Sequence, residues 1–261
     1  MVKVLGPFVY AWEYINKDTP GASDLEKTDH VYKSLISAIT ESGSCIEDVI
    51  AVQKFIAKGY DNVSTRDAYS KYFKAYMPSL TAVTFDSLLT EGGKEDDVCK
   101  ILLVAVKGCS KGLEYEGIKL DRKVYPSGSP LETVMGYSRA VKAGPFVFVG
   151  GTTSVLPDKT VFGEGDSAAQ DKFVWEKIVS FAKTCGAEEA DIVRVKKWVM
   201  NDYVSSGKFM PDENCTAPKT DTVHISKLTR PGQLEEVELF AIIGISKGKI
   251  NREFASFFDI F

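Results

Sequence analysis

The stretch YSRAVKAGPFVFVGG, residues 137–151, decides the fold, because a related stretch, VKVLGPFVY at residues 2–10, opens the chain. In both stretches, two apolar runs flank a Gly-Pro pair. Glycine tolerates a positive φ and proline holds φ near the value that a turn requires, so the pair favours a tight turn between two strands. We therefore predict a β-hairpin at each place, and each hairpin is expected to begin a sheet.

The similarity continues in the same order after each hairpin. Both halves contain a helical pattern, in VYKSLISAI (31–39) and VWEKIVSFA (174–182), followed by a long apolar strand, in DVIAVQKF (48–55) and DIVRVKKW (191–198). A strand after a proline comes next, in PSLTAVTF (78–85) and PKTDTVHI (218–225), and then a final apolar strand, in VCKILLVAV (98–106) and EEVELFAII (235–243). This order predicts a duplicated unit with hairpin, helix, strand, helix or loop, and two further strands.

We place the first domain at residues 1–111, a linker at 112–130 and the second domain at 131–261. The linker, GLEYEGIKLDRKVYPSGSP, is polar and rich in glycine and proline, which is typical of a connecting segment. The tail, residues 246–261, has no counterpart in the first half and carries four phenylalanines. We expect the tail to pack on a surface of the protein or on a neighbouring subunit.

Composition excludes several classes of protein. The net charge of −4 lacks the basic footprint of a nucleic-acid binder, and the longest apolar runs are too short to span a bilayer. No signal peptide is recognised at the N-terminus, so we expect a cytoplasmic protein without a membrane partner. Five cysteines without a CxxC pair, beside two histidines, give no metal-ligand spacing. We predict free thiols, no metal site and no cofactor, and no reactive role for Cys215.

Taken in order, YSRAVKAGPFVFVGGTT, ADIVRVKKWV and EEVELFAI resemble the RidA family, also called YjgF or L-PSP. The resemblance implies two tandem α+β domains of the bacillus chorismate mutase-like type, each with a mixed sheet backed by two helices. It also implies homo-oligomers, commonly trimeric barrels, with pockets for small molecules between neighbours. Family members hydrolyse reactive enamines and imines, such as 2-aminoacrylate, to a keto acid and ammonia, and some are described as endoribonucleases.

The resemblance assigns roles to particular residues of the second copy. Glu238 matches the terminal-strand glutamate that orders the attacking water, and Tyr137 matches the tyrosine that lines the pocket. Thr220 stands where the family carries an arginine that holds the substrate carboxylate, and Lys219 precedes it. We predict Glu238 and Tyr137 as catalytic residues, and Thr220 and Lys219 as substrate-binding residues.

The first copy departs further from the family pattern. Leu80 stands in the arginine position and Leu102 in the glutamate position, so this copy is predicted to be non-catalytic. Lysine or threonine cannot reproduce the two parallel hydrogen bonds of a guanidinium with a carboxylate, so the missing arginine matters. Arg66, in a position where the family often has a pocket asparagine, is a candidate replacement. The alternative is that Arg66 is a solvated arginine on a helix beside Asp67.

Three functions stay open from the sequence. One is a RidA-like protein with an altered pocket that binds a small metabolite and hydrolyses enamines or imines. Another is a non-catalytic tandem scaffold whose interfaces serve assembly, and the third is an endoribonuclease. The tandem arrangement also resembles the modules that follow the ATP-using domain of fungal diphthamide-forming ligases.

Overall fold

The first of two compact units extends from Met1 to Gly144 and the second from Pro145 to Phe261. The computed structural model describes residues 1–204 and 218–259. Elements of the first unit are β1 Val2–Leu5, β2 Phe8–Ile15, α1 Asp24–Glu41, a 3-10 helix Ile46–Asp48, β3 Val49–Ala57, α2 Arg66–Phe73, β4 Ser79–Phe85, a 3-10 helix Leu89–Glu91, β5 Cys99–Val106, a 3-10 helix Cys109–Lys111, β6 Glu114–Tyr115, β7 Ile118–Lys119, β8 Arg122–Tyr125, α3 Pro130–Met135 and β9 Ala140–Ala143.

The first unit contains a five-stranded sheet with the order β1-β2-β5-β3-β4. Strands β3 and β4 are parallel and the other neighbours are antiparallel, which makes the sheet mixed. Helix α1 begins after Ser23, whose hydroxyl accepts a hydrogen bond from the Glu26 amide. One face of the sheet packs on α1 and α2 through a core that includes Ile101 and Leu103 of β5 and Tyr69 of α2.

The second unit repeats this arrangement. Its elements are β10 Phe146–Thr153, α4 Ser167–Thr184, a 3-10 helix Glu189–Asp191, β11 Ile192–Met200, β12 Lys219–Ile225, β13 Glu235–Ile242 and a 3-10 helix Arg252–Phe258 in the tail. The strand order is β12-β11-β13-β10. Strands β11 and β12 are parallel, whereas β13 is antiparallel to both β10 and β11.

Corresponding elements have equal lengths in the two units. Strands β3 and β11 have nine residues each, β5 and β13 have eight, and β4 and β12 have seven. Helices α1 and α4 have eighteen residues each. The α+β class with a mixed sheet in each unit is therefore confirmed. Within the described ranges, no helix has both the length and the apolar composition that crossing a membrane requires.

The hairpin glycines have the conformation that the sequence predicts. Gly6 has a φ of 53° and Gly144 a φ of 58°, both in the left-handed region that glycine tolerates best. The tail also has a definite place in the second unit. Phe258 is fully buried, with ring centroids 5.4 Å from Phe148 and 5.4 Å from Phe240. The tail therefore covers part of this unit's own sheet.

The boundary between the two compact units, after Gly144, lies later in the chain than the domain limits predicted from the repeats. Arg122 donates hydrogen bonds to the carbonyls of Val49 and Tyr76, and Ser70 donates one to the carbonyl of Met135, so the segment before Gly144 packs on the first unit. The predicted linker, residues 112–130, contains β6, β7 and β8. The limits predicted from the repeats, at residues 111 and 130, stay a prediction about the extent of the duplicated sequence.

Candidate functional site

Glu238 lies on the face of the second sheet that is turned away from α4. Successive side chains of a strand point to opposite faces, and Lys197 points to α4, where it forms an ion pair with Asp171. Lys196 therefore points to the other face, and it pairs in register with Glu238 on β13 and Asp221 on β12. Glu238 is 3% exposed and Lys196 is 7% exposed. We call Glu238, Lys196 and Asp221 the charged row.

The first unit carries an uncharged set of residues at the same three positions. Leu102 is the fourth residue of β5, as Glu238 is of β13, and it pairs in register with Gln53. Gln53 in turn pairs with Thr81 of β4. An apolar side chain, an amide and a hydroxyl cannot bind a proton near neutral pH. That the first copy is not catalytic stays a prediction.

The register separates Thr220 from Glu238. Thr220 pairs with Val195, which pairs with Leu239, so these three lie on the face that contacts α4. Lys219 instead pairs with Arg194, one row away from the charged row and on the same face as Glu238. Lys219 and Glu238 therefore share a face of the sheet in this unit, whereas Thr220 and Glu238 do not.

Tyr137 and Arg66 both belong to the first unit. Tyr137 is part of its core, beside Tyr69, whose pKa is raised by burial and by the Tyr137 hydroxyl. Arg66 is exposed and is the first residue of α2. Burial lowers the pKa of Lys54, and the positive charge of Arg66 lowers it further. The pocket roles assigned to Tyr137 and Arg66 stay predictions.

Gly136 fixes the backbone just before Tyr137. Its φ is 84°, and an added Cβ would collide with the main chain of Lys74. We therefore expect Gly136→Ala to lower the free energy of unfolding by at least about 2 kcal/mol in urea titrations. Gly128→Ala is the matched control, since Gly128 has a φ of 85° and open space around its Cβ position. Equal losses for the two variants would contradict the role of the collision.

A buried ionic cluster in the second unit was missed by the sequence analysis. Lys197 Nζ lies 2.7 Å from Asp171 Oδ1 and 2.9 Å from Glu235 Oε2. The same Nζ lies 2.7 Å from the hydroxyl of Tyr203, which donates a hydrogen bond of 2.6 Å to Asp171. We call these four residues the ionic quartet.

The ionic quartet holds two carboxyl groups against one ammonium, so one carboxyl is favoured in its neutral form. Burial raises the pKa of Glu235 to about 8, and the negative charge of Asp171 adds to this effect against the attraction of Lys197. Hydrogen bonds from its neighbours hold the pKa of Asp171 below its usual value despite burial. The pKa of Lys197 is raised by the carboxylates although burial opposes this. Of the two carboxyl groups, Glu235 is therefore the one whose protonated form is favoured.

The first unit has a counterpart of the quartet at equivalent positions, and this counterpart contains no carboxyl group. Lys54 and Lys197 are each the sixth residue of a nine-residue strand, and Tyr60 and Tyr203 follow three residues after those strands. Thr28 is the fifth residue of α1, as Asp171 is of α4, and Cys99 is the first residue of β5, as Glu235 is of β13.

The hydrogen bonds of this counterpart differ from those of the ionic quartet. Lys54 Nζ donates to Asn62 at 2.6 Å and to Thr65 at 3.0 Å, and the hydroxyls of Thr28 and Tyr60 form a hydrogen bond. A lysine inside two apolar strands at equivalent places is the sequence signal that would have revealed both clusters. Lysine is rarely buried without a partner, so its repetition marks a retained site.

Cys45 and Asp48 of the first unit line one surface depression. Burial raises the pKa of Cys45, which disfavours the thiolate. In the nearby depression of about 440 Å³, Asp48 is bound by the amides of Gly108 and Ser110. No group of three or more metal-ligating side chains occurs in residues 1–204 and 218–259, and Cys215 lies outside these ranges.

Comparison with known proteins identifies the class of this fold. The profile of the family described as Endoribonuclease L-PSP matches residues 127–243. A RutC family protein of Pyrococcus abyssi is 28% identical over 102 residues, which are 38% of this chain and 80% of that protein. Rv2704 of Mycobacterium tuberculosis, from the YjgF/YER057c/UK114 family, is 31% identical over 47% of this chain and all of its own, with a TM-score of 0.37.

The chain belongs to the RidA/YjgF/L-PSP family. A fold comparison extends beyond one copy. The crystal structure of a chorismatase matches 92% of this chain and 76% of its own, with a TM-score of 0.58 and 13% identity. At this identity the match shows a shared fold, and it covers both units.

Proposed function

We propose that this protein binds a small metabolite and hydrolyses reactive enamines or imines in its second unit, with Glu238 as the general base. The observation that carries the proposal is the difference between the two units at one position. The second unit keeps a buried glutamate opposite a lysine where the first has Leu102 opposite Gln53. A carboxyl group can accept and release a proton, which a leucine side chain cannot do, so this difference favours a chemical role for the second unit.

The residues of the charged row fit the chemistry of imine hydrolysis. 2-Aminoacrylate takes up a proton at its terminal carbon and becomes an iminium. Glu238 accepts a proton from water as the water oxygen bonds to the iminium carbon. The same proton then passes to the nitrogen of the carbinolamine. The C–N bond breaks as the carbinolamine hydroxyl gives its proton to the Glu238 carboxylate, so that ammonia leaves and a keto acid remains. Lys196 lies opposite Glu238 in register.

The scaffold hypothesis is the second candidate. It is favoured by Thr220 and Leu80, which replace the family arginine in the two copies. The endoribonuclease hypothesis rests on the family description alone and gains no support from the net charge of −4. Tyr137, Arg66 and Thr220 keep their predicted pocket roles as proposals, as do a homo-oligomer and a cytoplasmic location.

Hydrolysis of 2-aminoacrylate by the purified protein tests the proposal. We expect Glu238→Gln to lower turnover by at least about 100-fold, because a positioned general base contributes about 10²–10⁴-fold. Glu235→Gln is the matched control, since Glu235 is buried on the same strand but faces α4. Turnover that Glu238→Gln leaves unchanged would disprove the role of Glu238. Absence of turnover in the unchanged protein would favour the scaffold.

A further inference from the structure

The depression of about 440 Å³ in the first unit has no part in the proposed hydrolysis. Its walls are residues 6–7 of the first hairpin turn, residues 43–45 after α1, the turn after β5, and β6. Two lysines of the turn after β5, Lys107 and Lys111, line it. Neither lysine side chain has an ion-pair or hydrogen-bond partner within residues 1–204 and 218–259.

The second unit repeats the turn after its last strand, so the two places can be compared position by position. In each unit an aspartate that ends a 3-10 helix accepts a hydrogen bond from the amide of a serine in this turn, Asp48 from Ser110 and Asp191 from Ser246. The two serines lie equally far beyond β5 and β13. By this correspondence the equivalent pairs are Cys45 and Glu188, Lys107 and Ile243, and Lys111 and Lys247.

A carboxylate neutralises the lysine of the second unit but not that of the first. Lys247 Nζ lies 2.6 Å from Glu188 Oε1. The first unit has Cys45 in the glutamate position, and burial raises the pKa of this half-buried thiol, which is therefore uncharged at neutral pH. Lys107 adds a second ammonium where the second unit has the apolar Ile243. The depression thus holds two cations without the acid that its counterpart supplies.

The carboxyl groups of the depression do not replace that acid. Asp48 is 2% exposed, and its oxygens accept hydrogen bonds from the amides of Gly108 and Ser110 and from the hydroxyl of Ser44. Glu114 is exposed on β6 and forms no ion pair in the part of the chain that the structure describes. Two ammonium groups on a concave surface are therefore available to an anion from solvent.

The opposite wall of the depression is apolar. Leu113 is 55% exposed, and the half-buried ring of Tyr115 lies on β6. Lys249 holds the place of Leu113 in the second unit, because the amides of these two residues bind the carbonyls of Gly108 and Gly244. A lysine binds phosphate as a point charge, and leucine and tyrosine side chains contact a ring or an alkyl group. The volume of about 440 Å³ is in the range of sites for small organic ligands.

We propose that this depression binds a small phosphate monoester that carries a ring or another apolar group. The phosphate contacts Lys107 and Lys111, and the apolar group contacts Leu113 and Tyr115. The site contains no residue of the charged row, so binding does not depend on the proposed hydrolysis. The first copy, which has Leu102 in the glutamate position, thereby has a ligand of its own.

Calorimetric titration of the full-length chain with phenyl phosphate tests the site. We expect Lys111→Met to weaken binding about tenfold, the effect of losing one charge-assisted hydrogen bond. Lys107→Ile, which introduces the residue of the second unit, should have a similar effect. Lys247→Met is the matched control and should leave the affinity unchanged, because Lys247 is paired with Glu188. Inorganic phosphate and phenol should each bind more weakly than phenyl phosphate.

Cys45→Glu tests the comparison between the copies directly. The new carboxylate gives Lys111 the partner that Lys247 has, and it repels a phosphate, so we expect binding to weaken at least about tenfold. Cys45→Ser, which adds no charge, should leave binding unchanged. In the protein without substitutions, saturating phenyl phosphate should slow alkylation of the Cys45 thiol by iodoacetamide, measured by mass spectrometry of the peptide.

Several results would overturn the proposal. Absence of measurable phenyl phosphate binding would do so, as would an affinity that Lys111→Met and Cys45→Glu leave unchanged. An equal loss for Lys111→Met and Lys247→Met would show that the phosphate does not bind at the unpaired lysines. Equal affinity for inorganic phosphate would remove the apolar group from the ligand, and alkylation of Cys45 at an unchanged rate would place binding elsewhere.

Discussion

Replacement of Lys197 by methionine should lower the free energy of unfolding by about 3–5 kcal/mol at pH 7. Removal of the ammonium leaves Asp171 and Glu235 buried together without a cation, and breaking a buried ion pair from one side costs about this much. The loss should shrink as the pH is lowered, because without Lys197 burial raises the pKa of Asp171 and its protonation relieves the uncompensated charge. Urea titrations at pH 7 and pH 5 measure both effects.

The first unit supplies the control for this experiment. Lys54 is buried to a similar degree, but its hydrogen-bond partners Asn62 and Thr65 are uncharged. Lys54→Met should therefore cost about 1–2 kcal/mol, the range for a lost hydrogen bond, and show little dependence on pH. If Lys54→Met and Lys197→Met lower the free energy of unfolding by the same amount, the charge of the ionic quartet is not what makes Lys197 important.

Stability should also fall as the pH rises from about 5 to 8. Glu235 has a pKa of about 8 in the folded protein against 4.5 ordinarily, so the folded state holds the proton more tightly than the unfolded state. The contribution of Glu235 to the free energy of unfolding is fully present below its ordinary pKa of 4.5, and it is lost as the pH rises through its folded-state pKa. The slope approaches about 1.4 kcal/mol per pH unit.

Glu235→Gln isolates this contribution, because an amide stays neutral at every pH. The difference in unfolding free energy between the variant and the unchanged protein should therefore vary across pH 5–8. Glu176→Gln, on the exposed side of α4, should give a constant difference. A constant difference for Glu235→Gln as well would mean that Glu235 is ionised in the folded protein. Asp171, whose pKa is lowered, acts in the opposite direction and only at acid pH.

The order of the elements could be predicted because its signals are local. Gly-Pro turns, apolar alternation and helical spacing each involve a few neighbouring residues, and all occur twice. The faces of the strands could not be assigned in the same way. Whether Thr220 shares a surface with Glu238 depends on register across β11, which relates residues far apart in sequence.

Two other features depended on packing that a sequence pattern does not contain. Tyr137 looks like part of the second hairpin, but it packs in the core of the first unit beside Tyr69, held by the turn at Gly136. The ionic quartet gathers one residue from a helix, two from strands and one from a loop. Its lysine was visible in the sequence, but its partners were not.

The equivalent positions of Lys54 and Lys197 have an evolutionary consequence. An oligomer of identical single-domain chains must accept every substitution at all of its symmetry-related sites at once. A chain that carries two copies is freed from this constraint, and here one copy has acquired two acids around its lysine while the other has a hydroxyl and a thiol. Duplication thus lets one chain carry a different set of ionisable groups around the equivalent lysine of each copy.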